Sequence, residues 1–462
     1  MGRWYNANSQ NDMAGNQRDG FSSKLGIIVA TAGSALGLGN IYRFPCEAGA
    51  NGGGAFLIVY LGIALLIGTP LMISEFVIGR RARSNPLGAF RRIEGRSRSP
   101  WSAVGYLGVV CAFLILAFYT TVAGWTLGYL GKAAAGHFSG QGLEQIQQQF
   151  ADFTGHAWLP LVCQMAFLAL TALVVVRGVK DGIERYSKIL MPMLLAIMLV
   201  LCIKSLTLSG AAEGLRFFFW PDFSKINGQV LLSALGQSFF SLSIGMGALI
   251  TYGSYIGRSD NMVSSAVSVT LADTLVAVLA GIIIFPAAFT FGIQPEAGAS
   301  LAFTTLPMVF QQMAGGYAFC LLFFVLLVIA TLTSTISLLE VIAATLTEEL
   351  RMSRARAVVV GTLGTAVIGM VATLSLRPDS PLRLGGSTAF DLLDHLTALY
   401  LMPIGGLLIV LFVGWRMGRA DVMDELSNGG TLPLGLRRGI VLVVRYLAPV
   451  AIAIIFVSQL VG

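Results

Sequence analysis

Asp273 stands alone as an ionisable residue in a long apolar run, within Leu271-Ala272-Asp273-Thr274-Leu275. A charge inside a membrane-length segment is costly unless partnered, so it marks a cation or a proton. A hard cation such as Na+ takes oxygen ligands. Asn40, Ser241 and the backbone carbonyl of Ala35 supply the types that such a cage needs, and proton carriage by Asp273 is the competing chemistry. Thr333-Ser334-Thr335 offers a second oxygen set. Beside carbonyls freed around Gly33 and Leu36, Thr333 and Ser334 would form a cage with no carboxylate, suited to a monovalent ion; such hydroxyls otherwise bond back to their own helix. Glu75, near the end of another apolar run, fits a role in bonding backbone freed at a helix break. Arg43 and Asp394 are candidates for an outer gate, and Arg18, Glu348 and Tyr255 for an inner one. A hydrated ion pair is worth little net, so it can open. Cys46, Cys111, Cys163, Cys202, Cys320 and the 3 His show no metal-ligand spacing. With no Ser/His/Asp set within the spans and no nucleotide loop, an enzyme is not expected.

These groups need elements to hold them. Gly33-Ser34-Ala35-Leu36-Gly37-Leu38-Gly39-Asn40 lies inside the apolar run from Leu25 to Pro45. That run is long enough to cross a bilayer, which takes ~20 apolar residues. Each glycine costs a helix interior ~1 kcal/mol relative to Ala, so the helix should open there. In hydrocarbon the opened backbone is tolerated only where it faces protein, water, an ion or a substrate. Leu231–Tyr252 is broken in the same way at Ser241-Leu242-Ser243-Ile244-Gly245-Met246-Gly247, and Gly37-Leu38-Gly39 matches Gly245-Met246-Gly247 as Gly-apolar-Gly. Breaks at corresponding places in two halves point to a transporter site near the membrane midplane.

The whole chain agrees. Its 462 residues are 55% hydrophobic and only 11% charged, against roughly 25% charged in soluble domains. It is expected to be an all-α polytopic membrane protein of the cell (inner or plasma) membrane. About eleven spans are legible, at 24–46, 55–79, 103–133, 157–176, 185–208, 229–256, 262–291, 315–350, 355–376, 389–415 and 438–461. Residues 1–23 form a polar tail without the apolar core of a signal peptide. The net charge of +7 follows from basic residues gathered in alternate loops, notably Arg80 to Arg98, so nucleic acid is not expected as a partner. The positive-inside rule then places the N-terminus in the cytoplasm. The loop 292–314 reads as a re-entrant or surface hairpin or a plain connector, and 417–436 as a short amphipathic helix and a turn.

The run Gly33-Ser-Ala-Leu-Gly-Leu-Gly-Asn-Ile-Tyr-Arg-Phe-Pro45, followed by Asn51-Gly-Gly-Gly-Ala-Phe56, resembles the first-span signature of the neurotransmitter:sodium symporter family. Gly68-Thr-Pro-Leu-Met72 through Glu75 to Gly79-Arg80 is similar to its second span, and Gly236-Gln-Ser-Phe-Phe-Ser-Leu-Ser-Ile-Gly-Met-Gly247 with Tyr252-Gly-Ser-Tyr255 to its sixth. The likeness covers about residues 18–460, and is greatest to the bacterial leucine-transporter-like branch. It implies a five-plus-five inverted repeat, with repeats at 24–208 and 209–415, spans one and six unwound, and 416–462 as an amphipathic loop and span eleven.

It also implies two Na+ sites. The first would use Ala35, Asn40, Ser241 and Asp273 with the substrate carboxylate; the second would use Gly33, Leu36, Ala330, Thr333 and Ser334. The substrate carboxylate would meet the N–H groups of Leu38 and Gly39 and the Tyr119 hydroxyl. Its amine would meet Ala35, Phe240, Ser241 and Ser243, within a shell that includes Ser34 and Gly37. Phe240 would cover the substrate beside Tyr119, and Ile115, Phe240, Met246, Ser334 and Leu338 would line the side-chain pocket. No charge stands there, so neutral hydrophobic amino acids, large aliphatic or aromatic, are expected. Tyr60, Gln237 and Ser241 match positions at which animal relatives bind chloride. The fixed carboxylate of Asp273, where some relatives carry Asn, implies chloride independence. The expected function is therefore Na+-coupled import of an amino acid by alternating access, with no organic cofactor, by a monomer or weak homodimer in the lipid bilayer. A proton-coupled carrier using Asp273 and a non-transporting amino-acid receptor are the alternatives.

Overall fold

The computed structural model describes residues 20–292, 301–428 and 430–461. Among them the chain is almost wholly helical, with one two-residue strand pair, Arg383–Leu384 antiparallel to Ser387–Thr388. Eight helices are long and apolar enough to cross a membrane: Gly54–Ala82, Ser102–Ala134, Val179–Ser205, Met262–Phe291, Gly316–Glu349, Arg354–Ser375, Ala389–Arg416 and Leu434–Ser458. Two further candidates are bent pairs, Lys24–Ala35 with Gly39–Ala50 at 58° and Glu144–Gly155 with Leu159–Val175 at 74°. The sixth segment in order is two pieces, Gly228–Ser241 and Ala248–Gly253. The eleven expected spans thus appear as these eight helices, the shorter helix Leu159–Val175 in the fourth position, and two interrupted segments, the first and the sixth.

Local chemistry sets several helix starts. Ser23, Asn227 and Asn261 accept the N–H groups of Gly26, Val230 and Ser264, which would otherwise be orphaned in a first turn. Ser102–Ala134 packs along Gly316–Glu349, Leu159–Val175 and Arg354–Ser375. Inside this frame, Gln164 donates to Thr120 (3.0 Å) and accepts from Thr373 (2.7 Å), while Thr171 and Thr335 bond at 2.9 Å. The broken first segment lies against Met262–Phe291, Gly316–Glu349 and the helix starting at Arg185.

Three connecting segments differ from their sequence reading. Residues 136–156 contain the helix Leu143–Gly155, and the stretch after span five contains Ala211–Phe219. Both had been legible only as linkers. In the loop 292–314, residues 293–300 lie outside the described residues, but Leu301–Thr305 and Leu306–Gln311 pack inward. Phe303 is fully buried with its ring 5.7 Å from Trp125 and 5.2 Å from Tyr129, so this stretch is part of the core. The basic loop is also more than a topology signal. Arg80 Nε pairs with Glu425 (2.8 Å), Arg81 with Asp421, Arg91 with Glu349 (2.8 Å) and Arg416 with Glu94 (2.7 Å). The first two of these bonds stitch the helix Arg419–Ser427 onto the end of span two, and the other two tie the loop to the ends of spans eight and ten.

Candidate functional site

The first helix opens where its glycines begin. After Ala35, Leu36 adopts φ −80° and ψ 73°. The Gly37 N–H turns to the Ala35 carbonyl (2.9 Å) and the Asn40 N–H to the Gly37 carbonyl (3.2 Å). The carbonyls of Gly33 and Leu36 therefore lose the helical partner four residues on. Residues Gly39–Arg43 form a wide turn before a regular helix resumes at Phe44. In the sixth segment the chain leaves the helix at Leu242, and Ser243, Gly245 and Gly247 take φ of 56°, 85° and 75°. Glu75, fully buried, accepts the Gly245 N–H at 2.7 Å, so it supplies an acceptor to backbone that the break has freed.

Asp273 joins the two breaks. Its Oδ1 accepts from Asn40 Nδ2 (2.7 Å) and Ser241 Oγ (2.7 Å), and its Oδ2 accepts from Tyr60 OH (2.8 Å). Asn40 comes from the first break and Ser241 from the edge of the second. All four side chains are buried. Asn40 Oδ1 is buried with no donor among the described residues. An orphaned amide oxygen beside a buried carboxylate fits an alkali cation as its missing partner. Gln237, also buried, donates to the Gly39 carbonyl at 2.8 Å.

Beside this cluster the two breaks line a small cavity of about 30 Å³. Ser34, Ala35, Gly37, Gly39, Ile115, Tyr119, Phe240, Ser241, Ser243, Met246, Ser334 and Leu338 all line it. Leu38 does not line it but gives its N–H to the Tyr119 hydroxyl at 3.1 Å. Ser337, which sequence reasoning passed over, also lines the cavity and accepts from Ser34 Oγ at 2.8 Å. No lining side chain is charged. Ser243 Oγ donates to the Ser34 carbonyl (3.0 Å), which ties the two breaks together.

At the second expected ion site, Thr333 Oγ1 bonds back to the carbonyls of Ala330 (3.0 Å) and Ile329 (3.2 Å). Gly33 stands against Thr333, where a Cβ would come within 3.2 Å of the threonine Cβ. Ser334 Oγ lies 3.4 Å from the Ser34 carbonyl.

Among the gate candidates, Arg43 and Tyr255 meet partners that the sequence reading did not name. The Arg43 guanidinium lies over the Phe240 ring, 4.5 Å from its centroid. Among the described residues it makes no ion pair with Asp394 within 4.0 Å. Arg18 lies outside the described residues. The Tyr255 hydroxyl donates not to Glu348 but to Glu340 (2.6 Å), and Arg354 pairs with the same carboxylate (2.6 Å). Glu348 accepts from Ser84 (3.0 Å) and the Asn85 N–H (2.9 Å). Glu340 was missed, although a carboxylate inside the run 315–350 carries the same signal as Asp273.

Comparison with known proteins agrees with this geometry. The family model described as the sodium:neurotransmitter symporter family matches residues 18–139 and 131–462. A sodium-dependent transporter of Bacillus subtilis, YhdH, is 39% identical over 438 residues, covering 95% of this chain and 97% of that protein. A sodium-dependent transporter of Methanocaldococcus jannaschii is 33% identical over 91% of this chain and 86% of its own length. Among solved structures, the crystal structure of MhsT in complex with L-phenylalanine matches with a TM-score of 0.88 and 41% identity, covering 96% of this chain and all of that one.

Proposed function

The chain belongs to the sodium:neurotransmitter symporter family, and on that premise we propose that it imports a neutral, hydrophobic amino acid, large aliphatic or aromatic, together with Na+. It is a sodium-dependent transporter by kinship and a multi-pass membrane protein by build. The substrate class is our own reading, and one observation carries it: a cavity walled by both helix breaks with no charged side chain on its surface. An acidic or basic side chain would be buried there unpaired, whereas Met246 can yield to bulk because its unbranched side chain adapts to irregular space. The solved relative MhsT holds L-phenylalanine, a ligand of this class.

In this reading the substrate carboxylate meets the N–H groups at Leu38 and Gly39 and shares the first Na+ with Ala35, Asn40, Ser241 and Asp273. The second Na+ would sit among Gly33, Leu36, Ala330, Thr333 and Ser334, with Thr333 turning its hydroxyl from its own helix to the ion. Ion and substrate close the cycle because each binds one state better; a ligand shifts a conformational equilibrium only by that difference. Asp273 supplies fixed negative charge beside the first ion, so chloride is not required. We place the N-terminus and the Arg80–Arg98 loop in the cytoplasm, and read 24–208 and 209–415 as the two inverted repeats.

The test is a binding screen of the twenty amino acids on purified protein, in Na+ and again in K+. Large hydrophobic amino acids should bind in Na+ alone, and Asp273→Ala should abolish that binding. Tighter binding of glutamate or lysine than of leucine or tryptophan would overturn the substrate class. Binding that follows an imposed pH change rather than Na+ would favour the proton-coupled reading.

A further inference from the structure

At the basic end of the bundle, spans ten and eleven meet through a glycine. A Cβ on Gly414 would come within 3.1 Å of the Arg445 Cα, tighter than ordinary contact, so the glycine eases the close approach of the two helices. The contact presses Trp415 against Arg445. The Trp415 indole N–H donates to the Arg445 carbonyl (2.9 Å), and the Arg445 guanidinium carbon lies 4.3 Å from the Trp415 ring centroid and 5.7 Å from that of Tyr446. A guanidinium held over indole is fixed in direction as well as in place.

What this cation lacks is an anion. Among the described residues Arg445 forms no ion pair, and its Nε is buried with no acceptor. The carboxylate of Glu94 is taken by Arg416 at 2.7 Å. Arg419, Arg437 and Arg438 likewise have no carboxylate partner among the described residues. Arg437 and Arg445 are eight positions apart and so share one face of the last span. On the other basic loop Arg80, Arg81 and Arg91 are paired, while Arg83, Arg92, Arg96 and Arg98 have no carboxylate partner among the described residues.

The surroundings say which anion fits. Trp415 is 55% exposed and Tyr446 53%, at the level where span ten ends with Arg416. Exposed Trp and Tyr at a span end mark the headgroup level of a bilayer. From there Leu447, Val450, Ile454 and Val457, all exposed, run along the last span away from the basic end. An unpaired, ring-clamped guanidinium at headgroup depth, with an apolar stripe leading away from it, matches a molecule with a phosphate at one end and acyl chains at the other.

We propose that Arg445, clamped by Trp415 and Tyr446, forms a specific site for the phosphate of an anionic phospholipid, with Arg437 beside it and the acyl chains along Val450 and Ile454. Planar guanidinium recognises phosphate by paired N–H···O bonds. Lipid binding there would hold span eleven to span ten.

The test uses the purified full chain in a mild detergent, with thermal unfolding followed as phosphatidylglycerol, phosphatidylcholine or inorganic phosphate is added. Phosphatidylglycerol should raise the midpoint saturably, while the other two should not. Arg445→Gln should move the half-saturating lipid concentration up by about fivefold, the factor expected for one basic side chain at the surface. Arg96→Gln, an equal loss of charge on the other basic loop, should leave it unchanged. Tyr446→Leu, which keeps the charge and removes a ring, should weaken the lipid response as well, and it serves if Arg445→Gln does not fold. An equal loss in Arg445→Gln and Arg96→Gln would mean diffuse attraction and overturn the site. So would a wild-type response to inorganic phosphate as large as that to the lipid.

Discussion

Asp273 accepts hydrogen bonds from side chains that lie 32 to 233 residues away in sequence. Its candidacy as an ion- or proton-binding residue was legible from isolation alone, because a charge among apolar neighbours is rarely kept without an ion or a proton to bind. Its partners Asn40 and Ser241 were legible as oxygen donors, and Tyr60 through its match to the family. The partner of Tyr255 was not: Glu340 and Glu348 differ by two turns on one helix, and only the packed structure chooses between them. For the same reason Arg43 was expected to pair with Asp394, while a ring in reach, Phe240, receives it. The fixed-charge role of Asp273 makes a testable statement. Asp273→Asn keeps the shape but removes the charge and turns one accepting oxygen into a donating amide. Na+ affinity in a substrate-binding titration should fall by about tenfold, ~1.4 kcal/mol, and chloride should restore part of it where gluconate does not. The wild type should give the same titration in both salts; a wild-type response lost in gluconate would refute chloride independence.

At the scale of elements, the glycine clusters announced both helix breaks, since glycine is what an apolar helix avoids unless it must open. Gly245 is the tightest case. It holds φ 85°, and a Cβ there would meet the Met402 carbonyl at 2.4 Å, backbone that cannot swing aside. Gly245→Ala should lower the thermal midpoint and abolish uptake, with about 1–3 kcal/mol from the backbone strain alone. A variant with wild-type uptake would mean that the second break tolerates repacking against span ten. The helices Leu143–Gly155 and Ala211–Phe219 were not legible, because both lie between the apolar runs from which the spans were read. Hydropathy marks what is long and apolar enough to cross a membrane and passes over short helices of mixed polarity.

For the whole molecule, span order came from hydropathy, but the ties between the spans did not. Tyr255 and Arg354 converge on the fully buried carboxylate of Glu340, and this knot ties the sixth segment to span eight and the start of span nine. Breaking one partner of a buried pair is strongly destabilising to the state that contains it, by ~3–5 kcal/mol. Glu340→Gln should therefore favour the form open at the basic end. In a variant stripped of its five native cysteines, Ser337→Cys in the cavity should react faster with a thiol reagent applied from that side once Glu340→Gln is added. Unchanged labelling would remove the knot from the gating cycle.

The donors around Asp273 also bear on the return stroke of the emptied carrier. A carboxylate stripped of every partner would have to capture a proton before the vacant carrier could reset. Here an amide, a hydroxyl and a phenol already satisfy the anion from within the protein. On the proposed reading the empty site can then keep its shape between turns, because the bonds that hold it come from the protein and not from the cargo.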